Sequence, residues 1–375
     1  MEKVTKFDWL VVGAGLSGAV FAHEMTKRGK TCLVIDKRLH VGGNCYCEQY
    51  DGVMMHKYGA HIFHTSDKQV WDYVKKHLKI NRLGSYAPMA MAGGEVFALP
   101  FNMNTFSKIW PDVRFPEEAK KRIEEQAKGV KDLETLEGAA ISQVGKDVFE
   151  KLIKGYTEKQ WGRSCAELPA EIIGRIPVKF DYNNNYFNSD LYIGVPEGGY
   201  NDLFKGLLEG SEVVLGCDYL RNRTSLDGLA KRVFYTGPID ALFGEALGKL
   251  DYRSLEFETK IRDLEQSQGC AVMNYCDRDV PYTRIIEHNR FAPGRRHEEL
   301  VVSLEYSKPY EGNAEPYYPV RTEESKGRYE KYVELSKTVY GDRVVFGGRL
   351  GHFRYFDMDE VIRDTLGIVE GLDNE

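Results

Sequence analysis

The residues of this chain whose types and spacing can do chemistry fall into three groups. They are glycines at 13, 15 and 18, arginines at 175 and 284, and histidines at 56, 61 and 64. The glycines stand in VVGAGLSGAV as G-x-G-x-x-G. Gly13 permits a tight turn, Gly15 lets a pyrophosphate reach the backbone, and Gly18 lets a helix lie close on a strand. The N-terminus of that helix offers free N–H groups and the positive end of its dipole. Asp36 ends the next apolar run, TCLVID, where an acid accepts from a ribose 2′-hydroxyl. The glycine pattern alone is weak. With both strands, the helix and the acid in place, it predicts a dinucleotide site.

The next residues choose between dinucleotides. In KRLHVGGNCY, Arg38 and the Gly42-Gly43 pair extend the phosphate-binding surface past the first strand-helix-strand unit. This resembles the two-glycine extension of FAD proteins of the glutathione-reductase type. Near the C-terminus, FGGRLGHFRYFDMD reads as a glycine-rich turn into a helix that brings N–H groups and Arg349 to a flavin. FAD is the expected cofactor. Arg175 lies between Pro169 and Pro177, and Arg284 lies in VPYTRIIEH. Arginine is usually an exposed charge. Two arginines amid apolar residues of an acidic chain suggest a forked anion site, because guanidinium grips a diphosphate bidentately. The histidines lack carboxylate or thiolate partners at metal-ligand spacing, so no metal is expected, and packing or hydrogen bonding near the flavin is. No G-x-S-x-G, phosphate-binding P-loop or Cys/His nucleophile pattern occurs, so the chemistry falls to the flavin.

These groups need a frame. The chain has 375 residues, too many for one ordinary core, and its net charge of −6 argues against a general nucleic-acid binder. Seven cysteines at irregular spacing read as reduced thiols in a cytoplasmic protein, and no stretch reaches the length of a membrane span. Strands are expected at 7–12 and in TCLVID, with later ones near 233–236 and 343–347 returning to them. TLEGAAISQVGKDVFEKLIKGY reads as one long helical segment, and 252–306 as alternating antiparallel strands. The fold class is α/β: an FAD-binding Rossmann-like domain assembled from discontinuous segments, with an inserted helical domain and an antiparallel β-sheet domain. The segments are 1–80, 200–248 and 335–375 for FAD, 100–178 for the helical domain with a mobile substrate loop, and 81–99, 179–199 and 249–334 for the sheet. One stretch, KGYTEKQWG at 154–162, sets Tyr156 and Trp161 among charges. Its Trp is either a core anchor at a helix end or a flat platform for a ring.

With these motifs stand YGAHIFHT, LPFNMNTF, ELPAEIIGRIPVKF, NNNYF, YTGPID and EPYYPV. In this order the series is highly specific, and along nearly its whole length the chain resembles bacterial UDP-galactopyranose mutase. The resemblance implies interconversion of UDP-galactopyranose and UDP-galactofuranose without net redox, through a covalent adduct between reduced FAD N5 and the anomeric carbon. It implies that Arg175, on a mobile loop, and Arg284 clamp the diphosphate. Tyr318 or Tyr317, Tyr355 and Tyr186 would contact the phosphates. Trp161, Tyr156 and Phe187 would line the uridine side, with the charges between Tyr156 and Trp161 facing water, and Asn81 would help hold the nucleotide. Catalytic roles would fall to Arg175, Arg284, His61 and His64. The cofactor set would comprise Gly13, Gly15, Ser17, Gly18, Asp36, Lys37, Arg38, Gly42, Gly43, Asn44, His61, Gly237, Arg349, Tyr355, Asp357 and Met358. Leu152 stands where the family often has an aromatic. A homodimer is expected by analogy. Two rival readings share the FAD fold: an amine oxidase or desaturase, and a binding protein like the Rab GDP-dissociation inhibitors.

Overall fold

The structure is a computed structural model that describes residues 6–82, 86–187, 191–292, 297–311 and 314–372, without the side chains of residues 82 and 175. Its first sheet has five parallel strands in the order Glu212–Leu215, Cys32–Asp36, Phe7–Val12, Ala230–Tyr235, Val344–Phe346. Of the three inner strands, Cys32–Asp36 and Phe7–Val12 are mostly buried apolar runs and Ala230–Tyr235 becomes one from Val233 on, as parallel sheets require. Between the first two runs the helix Leu16–Lys27 buries Ala19, Val20, Phe21 and Ala22, and Phe21 stacks on Phe234 of the fourth strand at 3.9 Å. The closing helix Met358–Leu372 packs along it, tied by Ser17 Oγ to Thr365 Oγ1 at 2.9 Å. Strands from distant parts of the chain thus share one sheet, the discontinuous Rossmann-like arrangement expected.

The second sheet has seven strands in the order Tyr318–Pro319, Tyr252–Asp263, Glu299–Pro309, Arg284–Glu287, Val272–Tyr275, Met89–Ala92, Glu95–Ala98. Only the 272–275 and 89–92 pair is parallel. Helices Met103–Ile109, Pro116–Ala127 and Leu136–Val144 cover one end of it. A further helical rod runs through 146–161, of which Phe149–Lys154 is a π-helical segment and Gly155–Trp161 a regular α-helix.

Three details depart from the sequence reading. The single helix expected over TLEGAAISQVGKDVFEKLIKGY is broken at Gly145, whose φ of +82° suits only glycine and which lies against the Trp110 ring. Strand Tyr192–Pro196 pairs with Phe63–Thr65 and Ile80–Arg82 in a separate three-stranded sheet, not with the large antiparallel one. Helix Glu323–Tyr340 runs unbroken across the 334/335 boundary and packs on the short helix Ile239–Leu242 of the parallel-sheet region. Among the described residues no helix is long and apolar enough to cross a membrane.

Candidate active site

Between the two sheets, the 146–161 rod and the start of the closing helix lies a cavity of about 660 Å³. That is the size of a small-molecule site. The glycine turn is not part of its described lining, but Met358, which is, meets Cys45 of the Gly43–Cys45 segment that folds over that turn. Gly13 has φ +106°, and a Cβ on Gly18 would run into the Gly13 carbonyl. No side chain caps the helix start at Gly15, so its first N–H groups are open to a phosphate. The Gly42-Gly43 segment folds back over this turn: Gly42 N–H donates to Ala14 O at 2.8 Å, and a Cβ on Gly43 would come 3.0 Å from Gly15 Cα. The two glycine motifs form one cradle of bare backbone, in which a Cβ on Gly13, Gly18 or Gly43 would crowd its neighbours. Asp36 accepts from the N–H groups of Ala14 and Arg38, both at 2.8 Å, and so sits fixed beside it. Arg38 donates to Asn44 Oδ1 at 3.1 Å, and Lys37 pairs with Glu315 at 2.9 Å. Ser17 is committed to Thr365, and Gly237 follows the strand end that meets Gly13 through Thr236. Because Gly43 has φ +54°, Gly43→Ala should cost about 1–2 kcal/mol in backbone strain. Purified protein should carry less flavin, read from its visible absorbance per chain.

Beyond the cradle the cavity is lined by Arg349, Tyr355, Asp357 and Met358. Arg349 is held by the carbonyl of Phe356 at 2.6 Å and lies over the rings of Tyr355 and Tyr318, at 4.7 and 5.3 Å. The dipole of the 15-residue helix that starts at Met358 adds to this positive end. A flavin whose ring gathers negative charge on reduction fits there.

On the opposite wall Arg284 opens its strand. Its NH2 donates to Tyr156 Oη at 2.6 Å, and its Nε lies 3.1 Å from Glu305 Oε1. That second contact is charge pairing without a directed hydrogen bond, since the Nε–H finds no acceptor. Burial works against the guanidinium charge, but Glu305 and the surrounding tyrosines outweigh it and keep Arg284 cationic. Tyr318 stacks on Tyr355 at 5.3 Å. Burial pushes the Tyr186 phenol up to about 12 and those of Tyr156 and Tyr318 higher still. All three stay protonated donors. His61 gives its Nδ1–H to Gly59 O at 2.8 Å, which leaves Nε2 as an acceptor. Burial, with Arg349 and Arg284 nearby, lowers its pKa to about 4, so the ring is neutral at pH 7. His64 stacks on Phe187 at 3.7 Å. Burial pushes the thiols of Cys45 and Cys276 up to about 12, far from a thiolate nucleophile. Among the described residues no histidine, cysteine and carboxylate cluster could hold a metal.

The substrate-side and flavin-side residues singled out in the sequence, from His61 and His64 to Arg284, Arg349, Tyr355, Asp357 and Met358, meet in one cavity. The glycine cradle with Ser17, Asp36, Lys37, Arg38, Asn44 and Gly237 lies outside its described lining, and four further placements differ. Asn81 is absent from its described lining, because its strand pairs with Tyr192–Pro196 in the small sheet. The Arg175 side chain lies outside the described residues; its backbone ends the 3-10 helix Ala170–Arg175 at the cavity rim. The Tyr317 hydroxyl is given to the carbonyl of Tyr58, which leaves Tyr318 the better placed of the pair. Trp161 belongs to the apolar core and also lines the cavity, so being a core anchor does not take its ring out of reach of a ligand. Nor do all the charges beside it face water: Lys159 points inward onto backbone carbonyls. Leu152 lines the cavity in place of an aromatic.

The sequence reading missed Glu305, Tyr86, Asn274, Arg321 and Arg354, all in the lining. Glu305 had a signal. It is an acid in the middle of the apolar strand LVVSLEY, directly opposite Arg284 in the ladder. Tyr86 continues a ring stack with Phe187 at 5.5 Å, a contact made between distant segments.

The chain matches the family model of UDP-galactopyranose mutase over residues 151–355 and that of an NAD(P)-binding Rossmann-like domain over 11–77. It is 39% identical to a probable UDP-galactopyranose mutase of Klebsiella pneumoniae, over 95% of this chain and 92% of that one. It is 35% identical to the dTDP-fucopyranose mutase of Escherichia coli, over 95% and 96%. A crystal structure of reduced UDP-galactopyranose mutase has the same fold, with a TM-score of 0.78 at 12% identity over 98% of this chain and 94% of that one.

Proposed function

Because the chain belongs to the UDP-galactopyranose mutase family and is an FAD-dependent isomerase, we propose that it interconverts UDP-galactopyranose and UDP-galactofuranose without net redox. One observation carries the reading. The chain builds two anion sites, the glycine cradle for the cofactor pyrophosphate and, in the wall of the cavity, Arg284 for a second diphosphate. An amine oxidase has no use for the second.

Bound FAD, in its reduced form, supplies a nucleophilic nitrogen, N5, for the anomeric carbon. The chain supplies position and charge. Arg284, steadied by Tyr156 and Glu305, takes up the charge that grows on UDP as the anomeric bond breaks. The protonated phenols of Tyr186 and Tyr318 donate to the phosphate oxygens, with the Tyr355 ring stacked beside Tyr318. Tyr156 and Trp161 form the uridine wall, with Phe187 beside them. Neutral His61 offers Nε2 as an acceptor for a sugar hydroxyl or a flavin N–H, and His64 braces the same corner through Phe187. The tyrosine-rich walls exclude water while the sugar ring is open.

The purified protein should convert UDP-galactofuranose to UDP-galactopyranose after dithionite reduction and not when oxidised, with no stoichiometric oxygen uptake. Product ratio by chromatography decides it. Sustained peroxide formation with an amine would overturn the reading in favour of an oxidase. Protein that neither carries nor regains a flavin band would favour the binding protein. The same assay with dTDP-fucopyranose sets the preferred substrate against that of the Escherichia coli relative.

A further inference from the structure

Lys159 sits on the helix Gly155–Trp161, between Tyr156 and Trp161, where a lysine would ordinarily reach into solvent. Its Nζ instead donates to four backbone carbonyls, those of Tyr275 and Asp277 at 2.8 Å, Val280 at 2.9 Å and Tyr282 at 3.1 Å. Tyr275 ends strand Val272–Tyr275, and the other three lie in the connection that leaves it and returns as strand Arg284–Glu287. An ammonium has three N–H groups, so the four oxygens share them around one positive charge. Carbonyl dipoles that converge on one point repel each other unless a cation sits there.

We propose that Lys159 is a positioning residue of this site: its ammonium closes the connection between the two strands and so holds Arg284 against Tyr156. One side chain thereby ties the helix that carries the ring wall to the strand that carries the anion-binding arginine. The 2.6 Å contact from Arg284 to Tyr156 is where that tie is felt. Other links between the two elements are weaker. Arg278 pairs with Glu158, but its side chain is 63% exposed. Cys276 Sγ donates to Leu152 O at 3.1 Å, a weak thiol bond. The proposal rests on reading the cavity as a nucleotide-diphosphate site.

Its test is UDP titration of flavin-loaded Lys159→Met, Lys159→Gln and Lys159→Ala proteins, with melting temperature recorded beside it. Loss of a charged donor should weaken UDP binding about 10-fold to 100-fold in the Met variant, with the flavin spectrum unchanged. Gln, with two N–H donors and no charge, should fall between Lys and Met. In the Ala variant, ethylammonium should restore UDP affinity saturably. Tetramethylammonium, which has no N–H, should not, and the wild type should respond to neither. A Met variant that binds UDP as tightly as wild type overturns the proposal. So does a flavin-loaded Ala variant deaf to ethylammonium. If the Ala protein does not fold, the order Lys over Gln over Met still decides. Wild-type protein that fails to bind UDP at all overturns the functional reading instead.

Discussion

Arg284→Ala is expected to lower turnover of UDP-galactofuranose by about 10²–10³-fold, the usual cost of removing one donor from a site where charge develops. Arg284 sits in the cavity wall with Tyr156 on one N–H and Glu305 beside another. The variant should keep its flavin spectrum, because the glycine cradle is built from other segments. Arg284→Lys keeps the charge but not the fork, so it should retain Tyr156 or the diphosphate but not both, and its turnover should fall between the two. Near-normal turnover in both variants would remove Arg284 from the mechanism.

The same substitution should also destabilise the fold, and the two effects can be separated. Glu305 is 2% exposed, and without Arg284 it becomes a buried carboxylate whose remaining hydrogen-bond partner, among the described residues, is the Thr283 hydroxyl at 2.9 Å. Breaking a buried pair from one side costs about 3–5 kcal/mol. Adding Glu305→Gln to Arg284→Ala should recover most of the melting temperature and none of the turnover. Recovery of both would mean that Arg284 serves only to neutralise Glu305.

How far a residue could be read from the sequence depended on how local its cause was. The glycine cradle was readable because each glycine answers to backbone geometry within a few residues, and the apolar strands because burial on both faces leaves a continuous run. Arg284 was readable as an oddity, a charge in an apolar strand. Its partner Glu305 is the same kind of oddity, but the link appears only when the two strands pair in register. That Asn81 falls outside the described lining was not legible, because the residues around it say nothing of the strand it pairs with more than a hundred residues later. The helix break at Gly145 was missed because the apolar period continues through it, while the Trp110 ring that presses on it comes from another helix end. Lys159 was taken for a solvated charge, the usual fate of lysine. The carbonyls that surround it belong to a turn more than a hundred residues away.

Trp161→Ala is expected to cost about 3–5 kcal/mol of stability, the range for removing a large aromatic from a packed core, and to weaken UDP binding as well. The ring is 7% exposed, sits in the same apolar cluster as Leu152, Ile153 and Leu168, and lies tilted 6.0 Å from the Tyr318 ring at the cavity wall. A platform that is also a core side chain cannot lose one role and keep the other, so loss of binding in the alanine variant alone proves little. Trp161→Phe separates them. Phenylalanine keeps most of the buried apolar surface, so the melting temperature should fall far less than in the alanine variant. It presents a smaller face to the uracil, and base–aromatic stacking is worth about 1–3 kcal/mol, so UDP affinity should still drop. If the phenylalanine variant binds UDP as tightly as the wild type while the alanine variant does not, the indole acts only by shaping the wall. The stacking face would then be that of Tyr156. Its hydroxyl already faces Arg284, so base and diphosphate would be held by one coupled pair of side chains.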